Sequence, residues 1–207
     1  MNGEFSRSKT VVADTVVEAQ STGHVALESI ALVWTIPVMF WANDIVSAEG
    51  YVERLSETAI RSGIVPFCWA AEANQGILDF RRGRLQDGLY ALEDAVAKLR
   101  RLKSRMLELV YTGYLADAYS EARDFGKAFG TVEKALELTV STGCGIYTGE
   151  FIRKKAVLAW RLTGRMQDFL SGLGDALLVS SDQGNRLLEM RILSDIVSSD
   201  GAPVELK

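Results

Sequence analysis

The segment LADAYSEARDFGKAFGTVEKALEL, Leu115 to Leu138, decides the fold. Apolar and small side chains recur at three- and four-residue intervals on both sides of a short polar break. Leu115, Ala118 and Tyr119 precede it; Ala128, Val132 and Ala135 follow it. A period of 3.6 residues collects such positions on one helix face, whereas a strand would alternate at every second residue. The stretch therefore predicts a helix, a turn at Ala122-Arg123-Asp124, and a second helix running back against the first.

Working outward, the break at Arg123 is one rung of a ladder. Ala-Asn43-Asp, Arg-Gly83-Arg, Ala-Arg123-Asp and Thr-Gly164-Arg are spaced 40, 40 and 41 residues apart. Between them lies a second ladder, Ser-Thr-Gly23, Arg-Ser-Gly63, Leu-Lys103-Ser, Ser-Thr-Gly143 and Asp-Gln-Gly184, spaced 40, 40, 40 and 41. Two ladders with one period and one late extra residue indicate an internal repeat of two helices and two turns. Helical spacing holds elsewhere too, as in Leu85, Leu89, Leu92, Val96 and Leu99.

The second helix of each unit carries a triplet: Ala48, Val52, Leu55; Gly88, Leu92, Ala95; Ala128, Val132, Ala135; Phe169, Leu173, Ala176. Small residues at such points let helix axes approach to about 8–10 Å. The first helices show a matching small site at Gly76 and Ala116, with Ala156 or Val157 in the next copy depending on where the extra residue lies. The predicted fold is all-α: a right-handed solenoid of about ten antiparallel helices with repeats of 40–41 residues. The expected organisation is one domain over 1–207, with a half repeat at 4–22, repeats at 24–63, 64–103, 104–143 and 144–184, a half repeat at 185–199 and a tail at 200–207.

The Leu115–Leu138 run resembles tetratricopeptide repeats through Leu115-Ala116, Tyr119 and the Ala128, Val132, Ala135 triplet, although the usual repeat has 34 residues. FWANDIVSAEGYVERL, GILDFRRGRLQDGLYALEDAVAKL and GEFIRKKAVLAWRLTGR are similar to the C-terminal repeat region of bacterial regulators that join a winged-helix domain to a signal-transduction ATPase. That resemblance implies a sensor or partner-binding arm. No phosphate-binding GxxxxGK[ST] occurs in this sequence.

Composition narrows the functional classes. The 207 residues are 48% hydrophobic and 24% charged, with a net charge of −4, which is globular and gives no general attraction to nucleic acid. Three prolines, Pro37, Pro66 and Pro203, suit a helical chain; Pro37 falls inside a predicted helix and is expected to kink it. The longest uncharged stretch, Ser29 to Asn43, has fifteen residues, too short for a membrane span. The N-terminus has no apolar core of a secretion signal. Cys68 and Cys144, far apart and outside any CxxC, read as reduced, buried thiols of a cytoplasmic protein.

Several constellations have plain readings. His24 is the only histidine, so neither a His-rich metal site nor a Ser/His/Asp triad is expected beyond it. Lys98, Arg100, Arg101, Lys103 and Arg105 lie at a helix C-terminus, where cations suit the helix dipole; Arg81, Arg82 and Arg84 lie at another. Glu49, Glu53 and Glu57 form a solvated acidic stripe. Gly143-Cys144-Gly145-Ile146-Tyr147-Thr148-Gly149 follows a helix, so it reads as a turn; a dinucleotide-binding loop would follow a strand. No catalytic, cofactor or metal residues are assigned.

In a tetratricopeptide-like solenoid the first helices line the concave surface. Extending the Gly76 and Ala116 register puts Phe40, Trp41, Ile77, Phe80, Arg81, Asp117, Glu121, Lys154, Trp160 and Arg161 on or near that surface. Aromatics with both charge signs suit a peptide or helix. The expected function is a non-catalytic protein-interaction scaffold or sensor arm; the alternative is a small-molecule effector site in the groove, and an enzyme is the weakest reading. Expected partners are proteins or peptides, with a homodimer through the open ends as a further possibility, and neither nucleic acid nor membrane. Half repeats at both ends also suit a piece of a larger protein.

Overall fold

The computed structural model describes residues 2–199, with side chains described for 7–198; the expected tail at 200–207 lies outside them. Among the described residues the chain is all-α. Its helices are α1 (Asn2–Ser21), α2 (Val25–Trp41), α3 (Ile45–Ser62), α4 (Val65–Arg81), α5 (Leu85–Arg101), α6 (Arg105–Glu121), α7 (Phe125–Thr142), α8 (Thr148–Thr163), α9 (Met166–Asp182) and α10 (Arg186–Ser199). One 3-10 turn, Gly145–Tyr147, precedes α8. Helix α2 continues through Pro37.

All nine ladder residues, Asn43, Lys103, Arg123 and the glycines 23, 63, 83, 143, 164 and 184, have φ between 55° and 86°. A left-handed residue ends a helix and turns the chain within two or three positions, and so short a connection makes consecutive helices antiparallel. Aspartates close two of these turns: Asp44 Oδ1 accepts from the Ser47 N–H at 3.2 Å, and Asp124 Oδ1 from the Lys127 N–H at 3.1 Å. These bonds satisfy first-turn amides that have no partner within their own helix.

The chain divides into two compact units, one up to Tyr111 and one from Thr112, with the boundary inside α6. In the first, α2 packs against α1, α3 and α4, and α4 against α3 and α5. In the second, α8 packs against α7 and α9, and α10 against α9 and α8. All twelve triplet residues are buried. The tightest joint is between α4 and α5, where a Cβ at Gly88 would lie 2.6 Å from the Gly76 carbonyl oxygen and 2.7 Å from Phe80 Cβ. In the second unit a Cβ at Gly172 would lie 2.7 Å from Ala156 Cβ. Ala156 is thus the small site of its copy, and the extra residue comes after it.

Both cysteines are free and half-buried rather than buried. His24 is exposed at the start of α2 and makes no side-chain capping bond. The Gly143–Gly149 stretch forms the left-handed end of α7, the 3-10 turn and the first residues of α8. No described helix is long and apolar enough to cross a membrane.

Candidate functional site

The first unit brings Phe40 and Arg81 together. The Arg81 guanidinium lies 5.3 Å from the Phe40 ring centroid, and its nitrogens reach the Phe40 carbonyl and Asn43 Oδ1, each at 3.4 Å. It thereby covers the C-terminal end of α2, where a cation is favoured by the carbonyl dipoles. Phe40 itself is buried, as is Ile77. Both fill inter-helix space, which corrects their assignment to a partner-facing surface. Trp41 and Phe80 are half-buried and Arg81 is exposed.

The same unit presents a surface that the register extension missed. Along α2, Leu27, Ile30 and Trp34 are 48%, 41% and 37% exposed, at helical spacings of three and four that put them in one row. The only charged residue of α2, Glu28, is buried and ion-paired with Arg54 of α3. The open face of α2 therefore carries no formal charge.

Five of the basic residues around α5 are tied to acids. Lys98 Nζ pairs with Asp94 at 2.7 Å and Glu72 at 3.0 Å, and these hydrogen bonds hold its pKa above the ordinary lysine value. Arg100 and Arg105 both donate to Glu108, at 2.7 and 2.8 Å. Arg82 pairs with Glu49 at 2.6 Å and Arg84 with Asp79 at 2.5 Å.

In the second unit the structure brings Asp117 of α6 and Lys154 of α8 into an ion pair. They flank a cavity of about 60 Å³ walled by Ala116, Asp117, Ser120, Arg153, Lys154, Val157 and Leu158. Lys154 is only 7% exposed, and it belongs to a buried charge cluster that sequence reasoning missed. Glu150, one turn earlier on α8, accepts from Arg153 Nε at 2.8 Å (Oε2) and from Arg153 Nη2 at 3.0 Å (Oε1). Its Oε1 also lies 3.3 Å from Lys154 Nζ and 3.2 Å from Arg191 Nη1 of α10. Arg153 Nη1 in turn donates to Asp195 Oδ2 of α10 at 2.5 Å.

Burial alone would raise the Glu150 pKa, but the charges of Arg153, Lys154 and Arg191 outweigh it and hold the carboxyl well below the usual range. Burial likewise opposes the charged form of Arg153, and Glu150 and Asp195 more than compensate. Nearby Tyr147, 6.3 Å from Phe151 between ring centroids, has its phenol pushed up to about 12 by burial. The signal for this cluster was present in EFIRKK: an acid followed by bases at three and four residues, interleaved with apolar Phe151, Ala156 and Leu158.

The remaining candidates stand apart from it. Trp160 packs against Phe169 with ring centroids 5.0 Å apart, and Arg161 lies over the Trp160 ring at 5.4 Å. Glu121 is exposed. Among the described residues no group of His, Cys, Asp or Glu is placed to hold a metal ion.

A known fold matches this arrangement. A crystal structure of nearly identical TPR-like repeats from a Podospora anserina kinesin light chain superposes with a TM-score of 0.52 at 16% identity, covering 88% of this chain and 90% of that one. BtubC (BKLC) from P. vanneervenii aligns with a TM-score of 0.48 at 15% identity, over 98% of this chain and 95% of that one. No family profile matches the sequence, and no curated protein matches it.

Proposed function

We propose that this chain is a non-catalytic protein-interaction scaffold that receives an apolar, helix-forming segment of a partner. The fold is a tetratricopeptide-like helical repeat, a class whose stacked helices create extended binding surfaces. The observation that carries the reading is the α2 row of Leu27, Ile30 and Trp34. A helix apolar on every side is ordinarily covered on every side, and here α1, α3 and α4 leave this row open. A face without formal charge suits a partner face that also lacks charge, because a charge desolvated there would find no counter-ion. Among the expected groove positions that remain accessible, Trp41, Phe80 and Arg81 are the proposed aromatic and polar rim in this unit, and Asp117, Glu121, Trp160 and Arg161 are proposed as contacts of the second unit taken by itself.

The alternative, a small-molecule effector site, draws on the cavity beside Lys154. At about 60 Å³ it is well below the roughly 300–1,000 Å³ of metabolite-sized sites, so it suits one polar group of a larger partner better than a whole effector. The narrower reading, an arm that senses on behalf of an attached regulator, rests on the sequence resemblance alone.

Substitution of Ile30 by Asp tests the scaffold reading. It puts a charge in the open row without touching the buried side of α2, and it is expected to abolish partner binding while leaving the melting temperature near that of the wild type. Unchanged binding to a purified partner overturns the proposed surface.

A further inference from the structure

In the first unit, the end where α3 stops and α4 starts has a charge pattern that the net −4 conceals. Residues 58–71 and 95–107 contain Arg61, Lys98, Arg100, Arg101, Lys103 and Arg105, and neither stretch contains an aspartate or glutamate. Both stretches lie at the same end of the helices. The turn at Gly63 joins α3 to α4, and Lys98, in the last turn of α5, reaches Glu72 in the second turn of α4 at 3.0 Å. Glu72 and Asp94 compensate Lys98, and Glu108 takes both Arg100 and Arg105. Arg61, Arg101 and Lys103 are exposed and pair with no acid among the described residues.

Beside these cations stand three aliphatic side chains turned to solvent. Ile60 is 75% exposed, Leu102 50% and Val65 49%. Ile60 precedes Arg61, Leu102 lies between Arg101 and Lys103, and Val65 opens α4 just across the turn. The dipoles of α3 and α5 favour cations at their C-terminal ends, but that effect gives no reason for exposed aliphatics next to them. A single exposed aliphatic is ordinary; three of them among three uncompensated cations make an amphipathic edge.

The mixture selects the partner. Nucleic acid is held by cations on phosphates and by aromatic stacking on bases, to which aliphatic tips add nothing. An acidic protein segment would satisfy the cations but would need a matching pocket for each projecting tip. A bilayer interface supplies anionic headgroups and an acyl boundary together, and it yields to the shape of what enters it.

We propose that this edge is a peripheral docking surface for an anionic membrane, with Arg61, Arg101 and Lys103 on the headgroups and Ile60, Val65 and Leu102 in the acyl boundary. The attachment is reversible and weakens with salt, because its cations act through a screened surface potential. It stands on this edge alone and does not depend on the α2 row.

The test is flotation of the full chain with vesicles of phosphatidylcholine containing about one-third phosphatidylserine, against vesicles of phosphatidylcholine alone. The wild type is expected to float with the anionic vesicles only, and less so as salt is raised. Arg101→Gln and Lys103→Asn should each weaken the partition about fivefold. Lys103 has φ at 57°, and asparagine tolerates that backbone, so the second variant preserves the turn. Replacing Ile60 and Leu102 together by Gln should weaken the partition at least about threefold. Val46→Gln, at the opposite end of α3, and Lys134→Gln on α7 alter exposed side chains away from the edge and should leave it unchanged.

No flotation with the anionic vesicles, equal flotation with the neutral ones, or equal losses from edge and control variants overturns the proposal. So does a partition that the Ile60 and Leu102 substitutions leave intact. Binding to a polyglutamate peptide or to duplex DNA, with none to the vesicles, also overturns it. Any of these results leaves the scaffold reading standing.

Discussion

Lys154 and Asp117, 37 residues apart in sequence, form an ion pair that ties α8 to α6, with the lysine almost wholly buried and the aspartate at the surface. The pair is stable because Lys154 is not alone. Glu150 lies beneath it, and Arg153, Arg191 and Asp195 complete a cluster of three cations and three anions. Buried charges persist only when each is compensated, and here the compensation runs across three helices.

Glu150→Gln is expected to destabilise the second unit by roughly 3–5 kcal/mol, because it leaves neighbouring buried cations without their shared anion. Urea unfolding followed by circular dichroism checks this. The same group sets an acid limit. Its folded pKa lies below its unfolded value near 4.3, so its contribution is present above that value and is lost as the pH falls through the folded one. Wild-type stability is expected to decline below about pH 4, and more steeply than that of Glu150→Gln.

Tyr147 sets an alkaline signature. Its folded pKa is pushed up to about 12, above the ordinary value near 10, so its neutral form favours the fold fully below pH 10. That contribution is lost as the pH rises through 12. Phenolate absorbance should show one tyrosine ionising late or only on unfolding. Tyr147→Phe should remove that phase and flatten the alkaline loss of stability.

The repeat joints should discriminate sharply between glycines. Gly88→Ala forces a Cβ into the Gly76 carbonyl and is expected to cost about 1–3 kcal/mol or more. Gly50→Ala, inside α3 with open space around it, should instead stabilise by about 0.5–1 kcal/mol. Thermal melts of the two variants should move in opposite directions.

The turn ladder offers a parallel contrast. Lys103 holds φ at 57°, a region most side chains avoid. Lys103→Gly is expected to be neutral or to stabilise by up to about 1 kcal/mol, whereas Gly63→Ala, at φ 67°, should destabilise by a similar amount.

The architecture was legible because repeats amplify weak signals. One Asn43 or Lys103 says little about a turn, but nine breaks on a common period say where each helix ends, and each has the left-handed backbone that ends one. The triplets were legible for the same reason. The open surface was harder. Helix α2 is apolar on every side, so periodicity could not separate Leu27, Ile30 and Trp34, which face solvent, from Phe40, which fills the core. Ile77 failed because extending one register along a whole helix carries a position onto its packed side. Glu150 was passed over because only the arrival of α10 turns a helical acid into a buried anchor. Asp117 and Lys154, picked from sequence separately, turned out to be partners.

The most direct test of the scaffold account places a photo-crosslinking residue at position 34 on α2, identifies the protein it captures, and titrates that protein in purified form against the wild type, Ile30→Asp and Tyr90→Asp. Tyr90 is exposed on α5, a different helix from the one that carries the row. The account predicts a weakening of at least tenfold for Ile30→Asp, as for a central interface residue, with Tyr90→Asp binding as tightly as the wild type. Equal binding by all three proteins would contradict it.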